Sequence, residues 1–136
     1  MITQLKNNFM HISFFTIVWV MLLITVANLN MTVTITYFWN LIAIGAIVGI
    51  VFGVIYPYAW NYSTSKAPIN IVICTILNVC MQFATVYLFS KDMFAFIKPY
   101  ALGIIVITFI GHLIALYFYK QVQNKKLADE LNRLKK

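Results

Sequence analysis

Four long apolar stretches, separated by short polar segments, dominate the hydropathy pattern of the chain. They run over about residues 9–29, 37–59, 69–89 and 100–119, and none of them contains Lys, Arg, Asp or Glu. Because about twenty residues of α-helix cross the roughly 30 Å hydrocarbon core of a bilayer, each stretch predicts a transmembrane helix. An isolated strand would leave backbone groups unpaired in lipid. The pattern therefore predicts an all-α polytopic membrane protein with four transmembrane helices.

Composition and charge support a membrane protein and locate its charge. Of 136 residues, 62% are hydrophobic and 10% are charged, whereas soluble domains average about 45–50% apolar and about 25% charged residues. So few charged side chains cannot cover a water-soluble globule of this size, which excludes a large aqueous catalytic domain. The formal net charge is nevertheless +7, and six of the ten basic residues lie within 120–136. The positive charge therefore belongs to a C-terminal tail.

The basic residues also predict the orientation of the spans. The N-terminal tail, the loop over 60–68 and the C-terminal tail lie on one side and hold eight of the ten Lys and Arg residues. The loop over 90–99 lies on the other side and holds only Lys91 and Lys98. Because Lys and Arg accumulate in cytoplasmic loops, we expect a multi-pass cell-membrane protein with both termini in the cytoplasm. The first apolar run is longer than the core of a signal peptide, and we expect it to be retained.

Three glycines repeat at four-residue spacing along the second span, at Gly45, Gly49 and Gly53. On a helix they form one flat face, against which a neighbouring backbone packs closely. This pattern predicts helix packing, and the partner is a helix of the same chain, a second copy or a different protein. Gly111, with Ala115 one turn later, is a weaker instance of the same pattern on the fourth span.

Three polar side chains fall inside the apolar stretches. Asn78 and Gln82 lie one turn apart on the third span, and His112 lies at a similar depth on the fourth. An unpaired amide or imidazole is costly in hydrocarbon, so these side chains are expected to face inward, towards partners. Two interpretations stay open: a polar lining for a solute or a proton relay, and interhelical hydrogen bonds that hold the helices together.

The sequence offers no set of residues for catalysis. The spans lack Asp and Glu, and a small proton-coupled exporter needs a membrane-embedded carboxylate. Nucleotide-binding motifs, metal-spaced Cys and His clusters and a Ser, His and carboxylate set are absent from the sequence as well. We expect neither an enzyme nor a bound cofactor or metal.

The C-terminal tail predicts a second functional region. No Gly or Pro interrupts residues 119–136, so the fourth helix is expected to continue into the cytoplasm as one rod. This basic amphipathic helix either adheres to anionic lipid headgroups or forms a coiled-coil contact with a second subunit or a cytoplasmic protein. Direct nucleic-acid binding is not expected of a helix held at the membrane. The candidate partner-binding residues are Lys125, Lys126, Leu127, Glu130, Leu131 and Leu134.

Several of these features occur together in one known family. The Gly45, Gly49 and Gly53 face, the short loop, the third span and the ending over 111–120 and 125–132 resemble the Gram-positive four-helix membrane proteins that are paired with LytTR-type transcription regulators. The resemblance implies a membrane protein that restrains its partner transcription factor in the cytoplasm. It supplies no catalytic residues.

Two other functions stay open on the sequence. The Asn78, Gln82 and His112 face is compatible with a small oligomeric transporter or channel. The glycine face is compatible with an accessory or immunity subunit of a larger membrane complex. A LytTR domain in the neighbouring reading frame would favour regulation, and a transporter ATPase would favour the accessory role.

Overall fold

The structure, a computed structural model, describes residues 1–26, 35–64 and 66–134; of residues 123, 126, 127, 130–132 and 134 it describes the backbone alone. Every regular element within these residues is helical. Four helical stretches are long and apolar enough to cross a membrane: Ile2–Val26, Ile35–Asn61, Ala67–Phe89 and Lys91–Val122. The predicted all-α, four-span architecture is confirmed.

The first helix, α1, spans Ile2–Val26. It begins seven residues before the predicted span at residue 9, so Lys6 lies within the helix and not in a preceding tail. A lysine is compatible with this position near a helix end, where its long side chain reaches the headgroup region. Residues 27–29, which complete the predicted first span, lie outside the described residues, as does most of the loop that follows.

The second span is one rod made of three segments. The α-helix α2 covers Ile35–Val48, a π-helical segment covers Gly49–Ile55, and the α-helix α3 covers Tyr56–Asn61. Pro57 explains why the rod widens at this point, because proline lacks the N–H for the α-helical bond and its ring clashes with the carbonyl four residues earlier. The rod nevertheless continues to Asn61. Pro57 therefore alters the winding of the second helix without ending it.

The third span is α4, Ala67–Phe89. It contacts α3, the last segment of the second span. Pro68 lies in its first turn, where the missing N–H costs no hydrogen bond. The buried Asn70 donates from Nδ2 to the carbonyl oxygen of Ala59 at 2.7 Å. This bond connects the first turn of α4 to the last turns of the preceding rod.

The connection predicted as a loop over 90–99 is helical, so that prediction is wrong. The helix α5 covers Lys91–Ile97, and a 3-10 turn over Lys98–Tyr100 leads into α6, Ala101–Leu134. Ser90 caps α5 by accepting a hydrogen bond at Oγ from the backbone N–H of Met93 at 3.3 Å. A serine cap satisfies an N–H that the first helical turn otherwise leaves unpaired.

The spans are arranged as an open row. The first helix packs on α2 and the π-helical segment, α4 packs on α2, and α6 packs on α4. A cleft therefore opens between the second span and α6, with α4 behind it and Asn8 of α1 at its rim. The sequence predicts a four-helix transmembrane bundle over 1–119 and does not predict this open order of the helices.

Candidate functional site

The glycine face of the second span is filled by α1 of the same chain. A Cβ atom added to Gly53 would lie 2.7 Å from Cα and 2.8 Å from the backbone N of Phe9, and one added to Gly49 would collide with the Ser13 hydroxyl. A Cβ atom at Gly45 would lie 3.0 Å from the Ser13 carbonyl oxygen. All three glycines are buried. Of the three partners that the sequence left open, the structure places a helix of the same chain in this groove.

Gly111 makes no close contact with another helix of the described chain, so its predicted role in helix packing, against a second copy or another protein, stays a prediction. A Cβ atom added to Gly111 would meet nothing within 4 Å. The residue is exposed and borders a cavity of about 310 Å³ in the cleft. The sequence pattern shows that small residues share a helix face, but the face that contacts a neighbour depends on how α6 is rotated against α4.

The three intramembrane polar residues of the sequence analysis meet around Tyr56. The Tyr56 hydroxyl hydrogen bonds with Nε2 of His112, so a side chain of the second span contacts a side chain of α6 across the cleft. Asn78 donates from Nδ2 to the Tyr56 hydroxyl at 3.1 Å. Gln82 donates from Nε2 to Oδ1 of Asn78 at 3.1 Å. The prediction that Asn78, Gln82 and His112 lie at similar depth and face partners is confirmed.

The hydrogen bonds of the His112 ring assign its proton. Nδ1 lies 2.8 Å from the carbonyl oxygen of Thr108 and 3.3 Å from Oγ1 of Thr75. A carbonyl oxygen only accepts, so Nδ1 carries a proton; in the neutral imidazole Nε2 then accepts from the Tyr56 hydroxyl. Each side chain then donates a hydrogen bond to the next, in the order Gln82, Asn78, Tyr56 and His112. We call these four side chains and Thr75 the Tyr56 network.

The Tyr56 network is buried or partly buried and contains no Asp, Glu, Lys or Arg. His112 is 7% exposed and Thr75 is 6% exposed, while Tyr56 is partly exposed to the cleft. Hydrogen bonds between transmembrane helices contribute about 0.6–2 kcal/mol each. The Tyr56–His112 bond connects the second span to α6. A bond from the Tyr119 hydroxyl to the Trp60 carbonyl oxygen at 3.5 Å connects the same two spans a second time.

The sequence analysis did not identify Tyr56 as a candidate site residue. A π-helix takes more residues into each turn than an α-helix, so the Gly49–Ile55 segment changes the direction of the side chains that follow it. Two aromatic residues of the sequence could have indicated Tyr56 and His112. Trp60 and Tyr119 pair at one end of the spans, with ring centroids 5.5 Å apart. Counting back about one turn from Trp60 and two from Tyr119 leads to Tyr56 and His112.

Two adjoining cavities occupy the cleft. The larger, about 470 Å³, has aromatic walls that include Phe52, Trp60 and Tyr119. The smaller, about 310 Å³, is bordered by the amides of Asn78 and Gln82. They adjoin because Phe52, Tyr56, His112 and Ala115 line both of them. Among the described residues, neither cavity is lined by Asp, Glu, Lys or Arg. The cleft is therefore largely apolar, with one polar wall.

The other candidate region, the C-terminal tail, continues α6 without a break as far as Leu134. Lys125 is exposed on it, together with Asp129 and Arg133. The remaining predicted partner-binding side chains lie outside the side chains that the structure describes: Lys126, Leu127, Glu130, Leu131 and Leu134. The leucine face predicted for this segment stays a prediction.

Comparisons of the chain with protein-family models, with curated proteins and with solved structures found no match.

Proposed function

We propose that this chain is a membrane-embedded regulatory protein that binds and restrains a cytoplasmic transcription regulator. The observation that carries the proposal is the length of α6, which runs unbroken over the 34 residues Ala101–Leu134. At about 1.5 Å per residue this helix is about 50 Å long, whereas the hydrocarbon core measures about 30 Å. The surplus of several turns gives a soluble partner a helical surface at the membrane.

The charge of this surplus supports a cytoplasmic position. Six of the ten basic residues lie within 120–136, and the side that carries both predicted tails holds eight of the ten. Such an excess is typical of the cytoplasmic face of a cell-membrane protein. The partner that the sequence resemblance implies is a LytTR-type regulator. Binding at the membrane would lower the concentration of free regulator at its promoters.

Anionic lipid headgroups are the competing partner for the same tail. Lys125 and Arg133 are exposed on it, and each basic residue near an anionic surface contributes about 1 kcal/mol of attraction. A protein partner needs the leucine face of the tail, whereas anionic lipid needs only its basic side chains. A substitution on the leucine face therefore distinguishes the two partners.

The test is co-purification of the tagged full-length chain with a LytTR-type regulator encoded beside it. Deleting residues 125–136 should release the regulator while the spans still insert. Leu131→Asp on the predicted leucine face should weaken capture, and Ala128→Asp on a neighbouring face should leave it unchanged. Equal capture by the full-length and shortened chains would contradict the proposal. Equal loss with Leu131→Asp and Ala128→Asp would assign the tail to lipid.

The cleft supports a second candidate function, a small transporter or channel that functions as an oligomer. Besides the two adjoining cavities, a third of about 200 Å³ borders Gln82 on the far side from Trp60. The three cavities follow α6 from Tyr119 to Ile104, which is most of a membrane thickness. Flux of a small uncharged solute into proteoliposomes, abolished by Asn78→Leu, would support transport. Liposomes without flux that still capture the regulator would decide for regulation.

A further inference from the structure

We propose that the cleft between the second span and α6 binds an uncharged, membrane-soluble molecule with an apolar body and a small hydrogen-bonding head. The proposal concerns binding by the protein alone and does not depend on the regulatory function proposed above. It rests on the size of the cleft, the chemistry of its walls and one amide group that the Tyr56 network leaves open.

The size of the cleft fits a ligand. Its two adjoining cavities measure about 470 and 310 Å³, and pockets for small molecules occupy about 300–1,000 Å³. Small residues create part of this space, because Ala115 lines both cavities and a Cβ atom at Gly111 would meet nothing within 4 Å. Both residues are exposed on α6, so a molecule dissolved in the bilayer can enter from the side.

The walls of the larger cavity select an apolar body. Phe52, Pro57, Trp60 and Tyr119 surround it with ring carbons. Aromatic side chains provide large rigid apolar surfaces for a ligand. Asp, Glu, Lys and Arg are absent from the described lining of both cavities, which disfavours a charged head, since no permanently charged side chain would pair with it there.

The head group would bind at the amide of Gln82. Its Nε2 donates to Asn78, but no hydrogen bond from the described residues reaches its Oε1, and the residue lines the smaller cavity. A polar atom without a partner in a membrane interior is costly. A ligand hydroxyl would donate to Oε1, and an ether or carbonyl oxygen would accept the second hydrogen of Nε2. The head is therefore a small group with oxygen donors and acceptors, such as a glycerol hydroxyl.

Trp60 provides a direct readout, because it lines the larger cavity. In a Trp19→Phe, Trp39→Phe chain it is the only tryptophan of the original three. This chain, reconstituted in phosphatidylcholine nanodiscs, is titrated with a monoacylglycerol whose acyl chain is brominated, since bromine quenches indole fluorescence on contact. We expect saturable quenching that an unbrominated monoacylglycerol reverses. Quenching that rises linearly and resists competition would contradict a site.

Two matched substitutions on α6 localise the site. Ala115→Phe fills the space shared by both cavities, and we expect it to raise the half-saturation concentration at least about tenfold. Ile114→Phe adds a ring on an exposed neighbouring position that lines neither cavity, and should leave half-saturation unchanged. Thermal unfolding of each variant confirms that it is folded. Equal half-saturation for the two variants would place the probe outside the cleft.

Recognition of the head is tested separately from filling of the groove. Gln82→Leu should raise half-saturation roughly threefold to tenfold, the range that the loss of one hydrogen bond predicts. Gln121→Leu, on the exposed part of α6, is its control and should change nothing. A brominated fatty-acid ethyl ester, which has the same chain but no hydroxyl groups, should bind about tenfold more weakly. Equal binding of ester and monoacylglycerol would overturn the assigned head chemistry.

Discussion

The second span presents two faces that meet their neighbours in different ways. On one face, Gly45, Gly49 and Gly53 let α1 approach until a single added methyl group would touch the Phe9 backbone. On the other, Tyr56 meets α6 through hydrogen bonds beside open cavities. The contact with α1 is close-packed, whereas the contact with α6 is made by hydrogen bonds between polar side chains.

This difference separates a structural interface from a candidate binding site within one helix. Close backbone packing leaves no room for a ligand, and it tolerates no larger side chain. A contact made by a few hydrogen bonds leaves space around them and allows the helices to move apart at modest cost. Tyr56, which makes the polar contact, comes directly after the π-helical segment Gly49–Ile55. π-Helical turns are frequent at functional sites.

The largest expected difference comes from adding one methyl group to the glycine face of the second span and one to α6 beside the cleft. Gly53→Ala should lower the free energy of unfolding by about 1–3 kcal/mol, because the new Cβ atom meets backbone that cannot rotate away. Gly111→Ala should leave it unchanged or raise it by up to about 1 kcal/mol, since that site is open and alanine favours a helix. Equilibrium unfolding in mixed micelles measures both. Equal losses for the two variants would contradict the comparison.

Removing the imidazole from the open face should have the next largest effect. His112→Leu leaves the Tyr56 hydroxyl with only the Cys74 carbonyl oxygen, at 3.5 Å, as an acceptor among the described residues. We expect the free energy of unfolding to fall by about 1–2 kcal/mol. The control is His11→Leu, an exposed position on α1, where the change should stay within about 0.5 kcal/mol. A His112→Leu protein as stable as the His11→Leu protein would show that the Tyr56 network does not stabilise the fold.

A double-mutant cycle tests whether Tyr56 and His112 interact directly. Tyr56→Phe and His112→Leu remove the two ends of one hydrogen bond, so their effects should be non-additive by about 0.5–1.5 kcal/mol. Replacing the exposed Tyr58 by Phe in the same cycle should give additive effects within about 0.5 kcal/mol. Additivity in both cycles would mean that Tyr56 and His112 do not interact in the membrane.

The smallest effect is expected at the end of the spans. Tyr62 donates from its hydroxyl to Oε1 of Gln4 at 3.0 Å, and both residues are exposed. Tyr62→Phe should therefore lower the free energy of unfolding by no more than about 0.5 kcal/mol. A loss above 1 kcal/mol would show that this end of α1 depends on side-chain hydrogen bonding as well as on the glycine groove.

Much of the architecture could be predicted because lipid imposes simple rules. Long apolar runs must be helices in a bilayer, and glycines at four-residue spacing must pack closely. Asn78, Gln82 and His112 were found because polar groups in hydrocarbon need partners. Each of these rules depends on composition and spacing within one helix, which a sequence contains.

The features that the sequence could not supply depend on contacts between segments. Gly111 carries a weaker form of the small-residue pattern around Gly53, and its surroundings depend on the rotation of α6, which places Gly111 beside a cavity. Tyr56 reaches the polar network through a local change in winding beside Pro57. Residues 90–99 were read only as a short connection between two apolar runs, although Ser90 with Asp92 two residues later was a signal for the start of a helix.

The most direct test of the Tyr56 network is the protonation state of the His112 ring. A His11→Gln chain retains a single histidine of the original two, and nitrogen NMR of this labelled chain in bilayers identifies the ring nitrogen that carries the proton. The account predicts a neutral ring protonated at Nδ1, with an Nε2 resonance that shifts when Tyr56 is replaced by Phe. A ring protonated at Nε2, or a spectrum that Tyr56→Phe leaves unchanged, would contradict it.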